Sequence, residues 1–303
     1  MMSSMSNEDK TDILLQRVLA RAITTPYHEP SLIKEMRYNS TYAAGHRVIT
    51  FYQPCIVFVL QGNKHSIVGD QEFNYGRGYT FMVGVDIPSA SQFINVSAEK
   101  PFVAISFSLD RTIITKLFNQ LGRDFYTQQM NGREGQIFYG ASLTQTSSEV
   151  LDVLLRLTEI ESQGNEHDCQ ILAPMLIMEL YYYILKSVHG LHLFSLLYHK
   201  GNHGAIVKSI EYLCNHYKED FDVNTLASNI ACMQASTFFR HFKATTGLSP
   251  LQFKKRLRLV EAKRLLDARS MNVSSCAYEV GYESISQFSR EFKQLFNVAP
   301  SHL

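Results

Sequence analysis

Apolar positions change their spacing twice along this chain, and the two changes divide it. Residues 12–24 set Ile13, Leu14, Val18 and Ile23 at helical spacing behind Thr11 or Asp12 as N-cap, and Pro26 ends the pattern. From residue 31 to 108 the runs shorten and become β-branched and aromatic, at 47–52, 55–60, 73–75, 79–85 and 102–107. Turn signals part them: Gln53-Pro54, Gly62-Asn63, Gly69-Asp70, Gly76-Arg77-Gly78 and Lys100-Pro101. This predicts six to eight strands in an all-β barrel or double-sheet jelly roll of about 80 residues. Helical spacing returns over 110–121, with Asp110 as N-cap for Ile113, Ile114, Leu117 and Phe118, and continues over 142–161 and 168–188. The last helix is apolar nearly all round, through Leu172, Met175, Leu176, Leu180, Tyr183 and Ile184, so the barrel or a second copy must cover it. Gly201-Asn202-His203-Gly204 then reads as a polar linker.

Beyond the linker the chain repeats itself at a shift of 50 residues. Ala227 aligns with Ala277, Ser236 with Ser286, Phe238 with Phe288, Arg240 with Arg290, Phe242 with Phe292, Lys243 with Lys293 and Pro250 with Pro300. Each copy reads as a short helix (224–231; 274–279), a tight turn and a second helix (235–246; 285–296), the arithmetic of a helix-turn-helix. Phe238 and Phe242 lie four apart on the face that meets the first helix. Ser236, Phe239, Arg240 and Lys243 occupy another face, matched by Ser286, Ser289, Arg290 and Lys293. An arginine there offers its fork to guanine O6 and N7, a hydroxyl reaches a base edge or a phosphate, and Phe239 covers a thymine methyl. Residues 250–268 form a helix between the copies, roughly 27 Å long at 1.5 Å per residue, which sets two reading helices about one DNA turn apart. Lys254, Lys255, Arg256, Arg258, Lys263 and Arg264 are expected on its outer side; a solvated face is the usual fate of such a run, and phosphate contact is preferred here because of its flanks.

Charge sharpens this division. The 303 residues carry 29 Lys+Arg and 28 Asp+Glu, a net +1 that by itself argues against a nucleic-acid partner. Residues 1–200 hold 16 basic and 19 acidic side chains, a balance of −3, whereas residues 201–303 hold 13 and 9, a balance of +4. The length suits two domains, and 45% hydrophobic residues exclude a disordered chain. Apolar stretches fall short of a membrane span and the polar start lacks a leader pattern, so a cytoplasmic protein is expected.

The stretches GLSPLQFKKRLRLVEAKRLL (247–266) and EVGYESISQFSREFKQLFNVAPS (279–301) resemble, almost position by position, the DNA-binding domain of AraC/XylS-type transcriptional regulators. That resemblance implies base-reading roles for Ser236, Phe239 and Arg240 in the first unit and for Ser286, Gln287 and Arg290 in the second. Phe239 departs from the family, which commonly has a polar residue there. FYQPCIVFVLQGNKHSIVGDQEFNYGRGYTFMVGVDIP (51–88) is similar to the family's AraC_N subgroup, whose N-terminal domain is cupin-like. The resemblance implies a multi-domain α and β architecture: an arm and helix (1–27), a cupin-like β-barrel with flanking helices for regulation or dimerisation (28–200), a linker (201–205), and an all-α domain with two helix-turn-helix units joined by a long helix (206–303). It also implies double-stranded DNA read in two successive major grooves, RNA polymerase as a further partner, a homodimer, and a small-molecule effector in the barrel.

The remaining chemistry is sparse. Five scattered cysteines contain no CxxC pair, which leaves reduced thiols. A cupin metal site needs clustered His and Glu ligands, and the barrel offers only His46 and His65; His189, His192, His199 and His203 sit among apolar residues and across the linker. No metal and no cofactor are expected, and no nucleophile elbow or phosphate loop is present. Phosphate-contacting candidates are Lys243, Lys254, Lys255, Arg256 and Lys293; effector-cavity candidates are Phe51, Cys55, Phe58, Phe81 and Phe107. Strand alternation separates Phe51 from Tyr52 without showing which face is inward. Two rivals stay open: a metabolite-converting cupin enzyme with a tethered DNA-binding domain, and a regulator whose barrel only dimerises.

Overall fold

Strands rich in large apolar side chains on both faces must be covered on both, and each face here finds a different cover. The computed structural model describes residues 5–21, 29–42, 45, 48–69, 71–122, 124–126, 140–164, 166–197 and 202–303. In it, antiparallel strands form two sheets: a six-stranded one ordered β1-β2-β9-β4-β7-β10 and a four-stranded one ordered β3-β8-β5-β6. The strands are β1 (Glu29–Pro30), β2 (Met36–Thr41), β3 (Val48–Tyr52), β4 (Cys55–Gln61), β5 (Asn63–Val68), β6 (Gln71–Gly76), β7 (Tyr79–Val83), β8 (Ile87–Ile94), β9 (Phe102–Ser108) and β10 (Ala141–Gln145). β2 to β9 are the strands expected between residues 31 and 108. β10 was expected to open a helix; it pairs instead with the free edge of β7, from Ala141↔Val83 to Gln145↔Tyr79, and the helix begins after Ser147.

Helices α1 (Asn7–Arg21), α3 (Ser148–Ser162) and α4 (Glu166–Lys186) cover the outer face of the six-stranded sheet, with α2 (Arg111–Leu121) at its end. α1 starts five residues before the expected position because Ser6 and Asp9 cap it reciprocally: the Asp9 N–H donates to Ser6 Oγ at 3.1 Å and the Ser6 N–H to the Asp9 carboxylate at 3.2 Å. Ile56, Phe58, Val103, Ile105 and Phe107 face this helical layer and join Leu14, Val18, Leu154 and Leu180 in one core. α4 and α5 (Val188–Leu197) read as one apolar run, yet they meet at 90°. Ser187 makes the corner: its hydroxyl donates to the Ile184 carbonyl at 2.7 Å and accepts the His189 N–H at 3.1 Å. Among the described residues no single helix is long and apolar enough to cross a membrane.

The linker expected at 201–205 is not extended chain where it is described. Residues 202–205 form the first turn of α6 (Asn202–Asn215), because Ile206, Val207, Ile210 and Leu213 supply a helical stripe that is buried throughout; Gly201 lies outside the described residues. Next come α7 (Val223–Thr225, continued by a π-helical turn Leu226–Ile230), α8 (Ala235–Thr246), α9 (Pro250–Asp267), α10 (Val273–Glu279) and α11 (Ile285–Phe296). A second core joins the inner face of the barrel to the first helix-turn-helix, through Val59, Phe81 and Phe102 on one side and Ile206, Phe238, Phe242 and Phe253 on the other. The second helix-turn-helix has a third core to itself, built from Leu259, Ala262, Cys276, Phe288 and Phe292.

Candidate nucleic-acid interface

In both recognition helices the phenylalanines face inward and the polar stripe outward. Phe238, Phe242, Phe288 and Phe292 are wholly buried. Ser236, Arg240 and Lys243 on α8 and Ser286, Gln287, Arg290 and Lys293 on α11 are exposed, and Phe239 keeps 37% of its surface. The cations Arg240, Lys243, Arg290 and Lys293 have no ion-pair partner among the described residues, so their charge is available to an anionic surface. Both helices end the same way: Gly247 and Asn297 take left-handed conformations (φ +72° and +60°) and donate to the carbonyls of Lys243 and Lys293. At the other end, Ser284 caps α11, its hydroxyl accepting the Gln287 N–H at 3.3 Å, which leaves the Gln287 side chain outward and donating to Glu291 at 3.3 Å.

The two units differ at the turn. In the first, α7 winds its last residues as a π turn, with the Ala231 N–H bonded to the Leu226 carbonyl at 3.1 Å, and left-handed backbone falls on Cys232 (φ +50°), five residues after Ala227. In the second it falls on Gly281 (φ +89°), four residues after Ala277. The additional helical residue is recovered by a shorter approach to α8, so the recognition helices keep their offset of 50.

The linking helix corrects part of the expectation. Pro250 at its first turn and a reciprocal Ser249–Gln252 cap start it. Lys254, expected to touch phosphate, is only 6% exposed: its ammonium lies 5.0 Å above the Phe221 ring and 3.2 Å from the Asp220 carboxylate. Burial, then the neighbouring Arg258, lowers its pKa, with Asp220 opposing. Arg258 likewise turns in, donating to the carbonyls of Tyr217 (2.6 Å) and Lys218 (2.8 Å). Positions four apart share one helix face, and here that face meets the segment before α7. Lys263 pairs with Asp267 and Arg264 with Glu261, both at 2.7 Å, and Lys255, half-exposed, pairs with Glu291 at 2.9 Å. Arg256 is half-buried. The basic run thus serves largely to hold the helix, and the unpaired cations of the repeated stripe lie on α8 and α11.

The barrel contains a cavity of about 410 Å³ between its sheets, lined by Phe51, Cys55 and Phe81 among the expected residues, and also by Tyr52, Lys64 and Tyr75. Phe58 and Phe107 do not reach it. They are the odd-face partners of Val57 and Ser106 and pack edge-on against each other, 6.1 Å apart, under the helical layer. Burial pushes the Cys55 thiol up to about 11, which opposes a reactive thiolate there. Lys64 escaped the sequence reading, although a lysine two and four residues before Ser66 and Val68 on one strand face is a visible signal. Its ammonium sits 5.2 Å from the Tyr52 ring and 4.9 Å from the Phe93 ring. Burial alone would raise the Tyr52 phenol, but Lys64 with the hydroxyls of Ser66 and Ser91 outweighs it and draws the phenol below its ordinary range. His46 and His199 lie outside the described residues, and His65 sits 3.5 Å from Glu72. Among the described residues no three His, Cys, Asp or Glu side chains are placed to hold a metal.

The barrel and the C-terminal helices touch. Phe51 meets Phe253 of α9 edge-on at 5.3 Å, and Arg111 of α2 pairs with Glu211 of α6. At the far end of α8 the Gly140 N–H donates to the Thr245 carbonyl at 3.3 Å, and Gly69 (φ +65°) approaches Thr246 so closely that a Cβ would stand 2.8 Å from its carbonyl oxygen.

Comparison with known proteins places this geometry. Residues 32–192 match the family described as AraC-type transcriptional regulator N-terminus, and residues 227–303 a helix-turn-helix domain. The transcriptional activator RhaS of Citrobacter koseri is 27% identical over 171 residues, which is 55% of this chain and 58% of that protein. RhaS of Pectobacterium carotovorum is 32% identical over 92 residues, 30% of this chain and 33% of that one. The chain therefore matches between a third and three-fifths of these relatives' length. Two structures of ToxT of Vibrio cholerae, the second with an unsaturated fatty acid bound, have the same fold: TM-score 0.55 at 12% identity over 89% of this chain and 97% of that one, and 0.55 at 11% over 92% and 96%. With a family match over more than half its length, the chain belongs to the AraC-type transcriptional regulators.

Proposed function

We propose that this protein is a cytoplasmic regulator, an activator by the kinship with RhaS, that reads DNA with α8 and α11 in two successive major grooves and is controlled by a small molecule in the barrel. The observation that carries the reading is the paired stripe: serine, arginine and lysine at matching positions on two exposed helix faces, with the cations unpaired. Ser236, Phe239, Arg240, Ser286, Gln287 and Arg290 are the base-reading set, and Lys243 and Lys293, with Lys255 at the flank, hold phosphates. Effector control is supported by the cavity's wall: Phe51 lines it and also touches Phe253, so an occupant that moves Phe51 bears on the helix joining the two reading units. An occupant shifts the regulator only as far as its affinity differs between two domain arrangements. The molecule would work as a homodimer and meet RNA polymerase at its promoters; no reaction is assigned to the barrel.

The test is selection of bound sequences from a randomised duplex pool, followed by titration. Arg240→Ala and Arg290→Ala are each expected to lose about 1–3 kcal/mol of discrimination at one half of the site, and the halves should differ. Lys243→Ala should weaken all sequences alike and lower the salt slope by about one. Unchanged site preference in both arginine variants would remove the reading helices from this role.

A further inference from the structure

α11 carries one acid, Glu291, a helical turn after Gln287, and its side chain is only 11% exposed. Two elements outside α11 hold its carboxylate. Lys255 of α9 reaches one oxygen at 2.9 Å, and Tyr282, in the turn before α11, donates its hydroxyl to the other at 2.8 Å. Tyr282 is itself fixed, buried and edge-on to Phe288 at 5.3 Å. Burial alone would raise the Glu291 carboxyl, but the bonds from Lys255, Tyr282 and Gln287 outweigh it and hold the group below the ordinary carboxylate range. The carboxylate is therefore ionised near neutral pH and fixed in place, and it accepts the Gln287 side-chain N–H at 3.3 Å. A carboxylate only accepts, so the end of the Gln287 amide turned to it is the NH2 end. One N–H is used there; the carbonyl oxygen and the second N–H remain, and their order along the groove follows from which end Glu291 holds. In the first unit the positions 50 residues earlier are Thr237 and His241, so that unit has neither the amide nor the carboxylate.

We infer that Glu291 is a positioning residue for base reading: it sets the flip of the Gln287 amide, so that the second unit selects adenine at one position of its half-site. Adenine shows N7 as acceptor and N6 as donor on its major-groove edge, which an amide of set order meets with both its groups, whereas guanine shows two acceptors. An unheld glutamine would also have to give up its rotamer freedom on binding, and here that ordering precedes the DNA. This inference rests on α11 being a reading helix, and it adds the base selected and the residue that sets the selection.

The experiment uses the full chain. Sequence selection with Gln287→Ala beside the parent identifies the position whose preference Gln287 sets, and duplexes carrying each base pair there are then titrated. The parent is expected to favour adenine about tenfold over guanine at that position, and Gln287→Ala to lose the preference. Glu291→Gln, of the same shape, can accept from or donate to either end of the Gln287 amide, so it should cut the preference to about threefold or less, as should Glu291→Ala. Both should keep the preference at the position read by Arg290, and neither should change the Gln287 position further in the Gln287→Ala background. Full adenine preference in Glu291→Gln, an equal loss at the Arg290 position, or an effect that persists without Gln287 would each overturn the positioning role. A parent that favours another base at the Gln287 position would overturn the adenine assignment. Unaltered selection in Gln287→Ala would instead remove Gln287 from the base-reading set, and this inference with it.

Discussion

Lys254 and Lys255 are adjacent lysines with opposite uses. One turns under Phe221 and Asp220, and the other stays half-exposed against Glu291. Lys254→Ala is therefore expected to lower the melting temperature, at about 1–2 kcal/mol from lost stem packing and the ring contact, and to leave the salt slope of DNA binding unchanged. Thermal melts beside salt titrations separate the two; a slope reduced by one at unchanged stability would return Lys254 to the DNA surface. Nothing in FKKRLRL distinguishes position 254 from 255, because a hydrophobic stripe tells which side of a helix is apolar and not which cations find carbonyls at its margin. Arg240 and Arg290 were legible for the opposite reason. Their neighbours at i−2 and i+2, all phenylalanines of a repeated core, fix the turn of the helix and hence the arginines' outward aim. Lys64 shows what alternation alone leaves open, since strand parity groups it with Ser66 and Val68 without saying that this set faces a cavity.

Elements with a single strong stripe were readable, and α8, α9 and α11 end within a residue of their expected bounds. Elements decided by a partner were not. β10 exists because β7 had a free edge, and the corner between α4 and α5 exists because Ser187 satisfies both helix ends, neither of which leaves a periodic trace. α4 also leaves a question of cover. Ile171, Leu172 and Met175 are exposed on one side of it, Met175 to 66%, while Ala173, Leu176 and Ile177 are buried on the other. The barrel domain covers the second of these sides, and a second copy, the other cover expected for this helix, fits the first. For the proposed homodimer, Met175→Glu is expected to give monomer in light-scattering chromatography, with little loss of folding stability because the side chain is 66% exposed. A dimer that survives Met175→Glu and Ile171→Glu together would place the interface elsewhere.

At the scale of the whole molecule the domain boundary in the chain and the boundary between cores do not coincide. The expected joint near residue 201 divides acidic from basic sequence, yet the core beside it runs from Val59 and Phe102 through Ile206 to Phe238 and Phe253. A fragment of residues 202–303 is expected to bind DNA with steep salt dependence. Its first unit, stripped of the barrel, should exchange backbone amides much faster than its second, whose core is self-contained. Hydrogen exchange of α8 against α11 in fragment and full chain measures this, and equal protection in both would show that the barrel contributes nothing to the first unit. The close seat of Gly69 and Gly140 on the last carbonyls of α8 ties that helix to the barrel backbone. For the construction of hybrid regulators, this makes the two reading units unequal currencies of exchange. A foreign second unit can be spliced in within α9, between Phe253 and Leu259, and bring its own core with it. A foreign first unit must also match the barrel's surface, so exchanging α8 whole requires refitting the barrel face it packs on, whereas single outward residues of α8 can be exchanged without it.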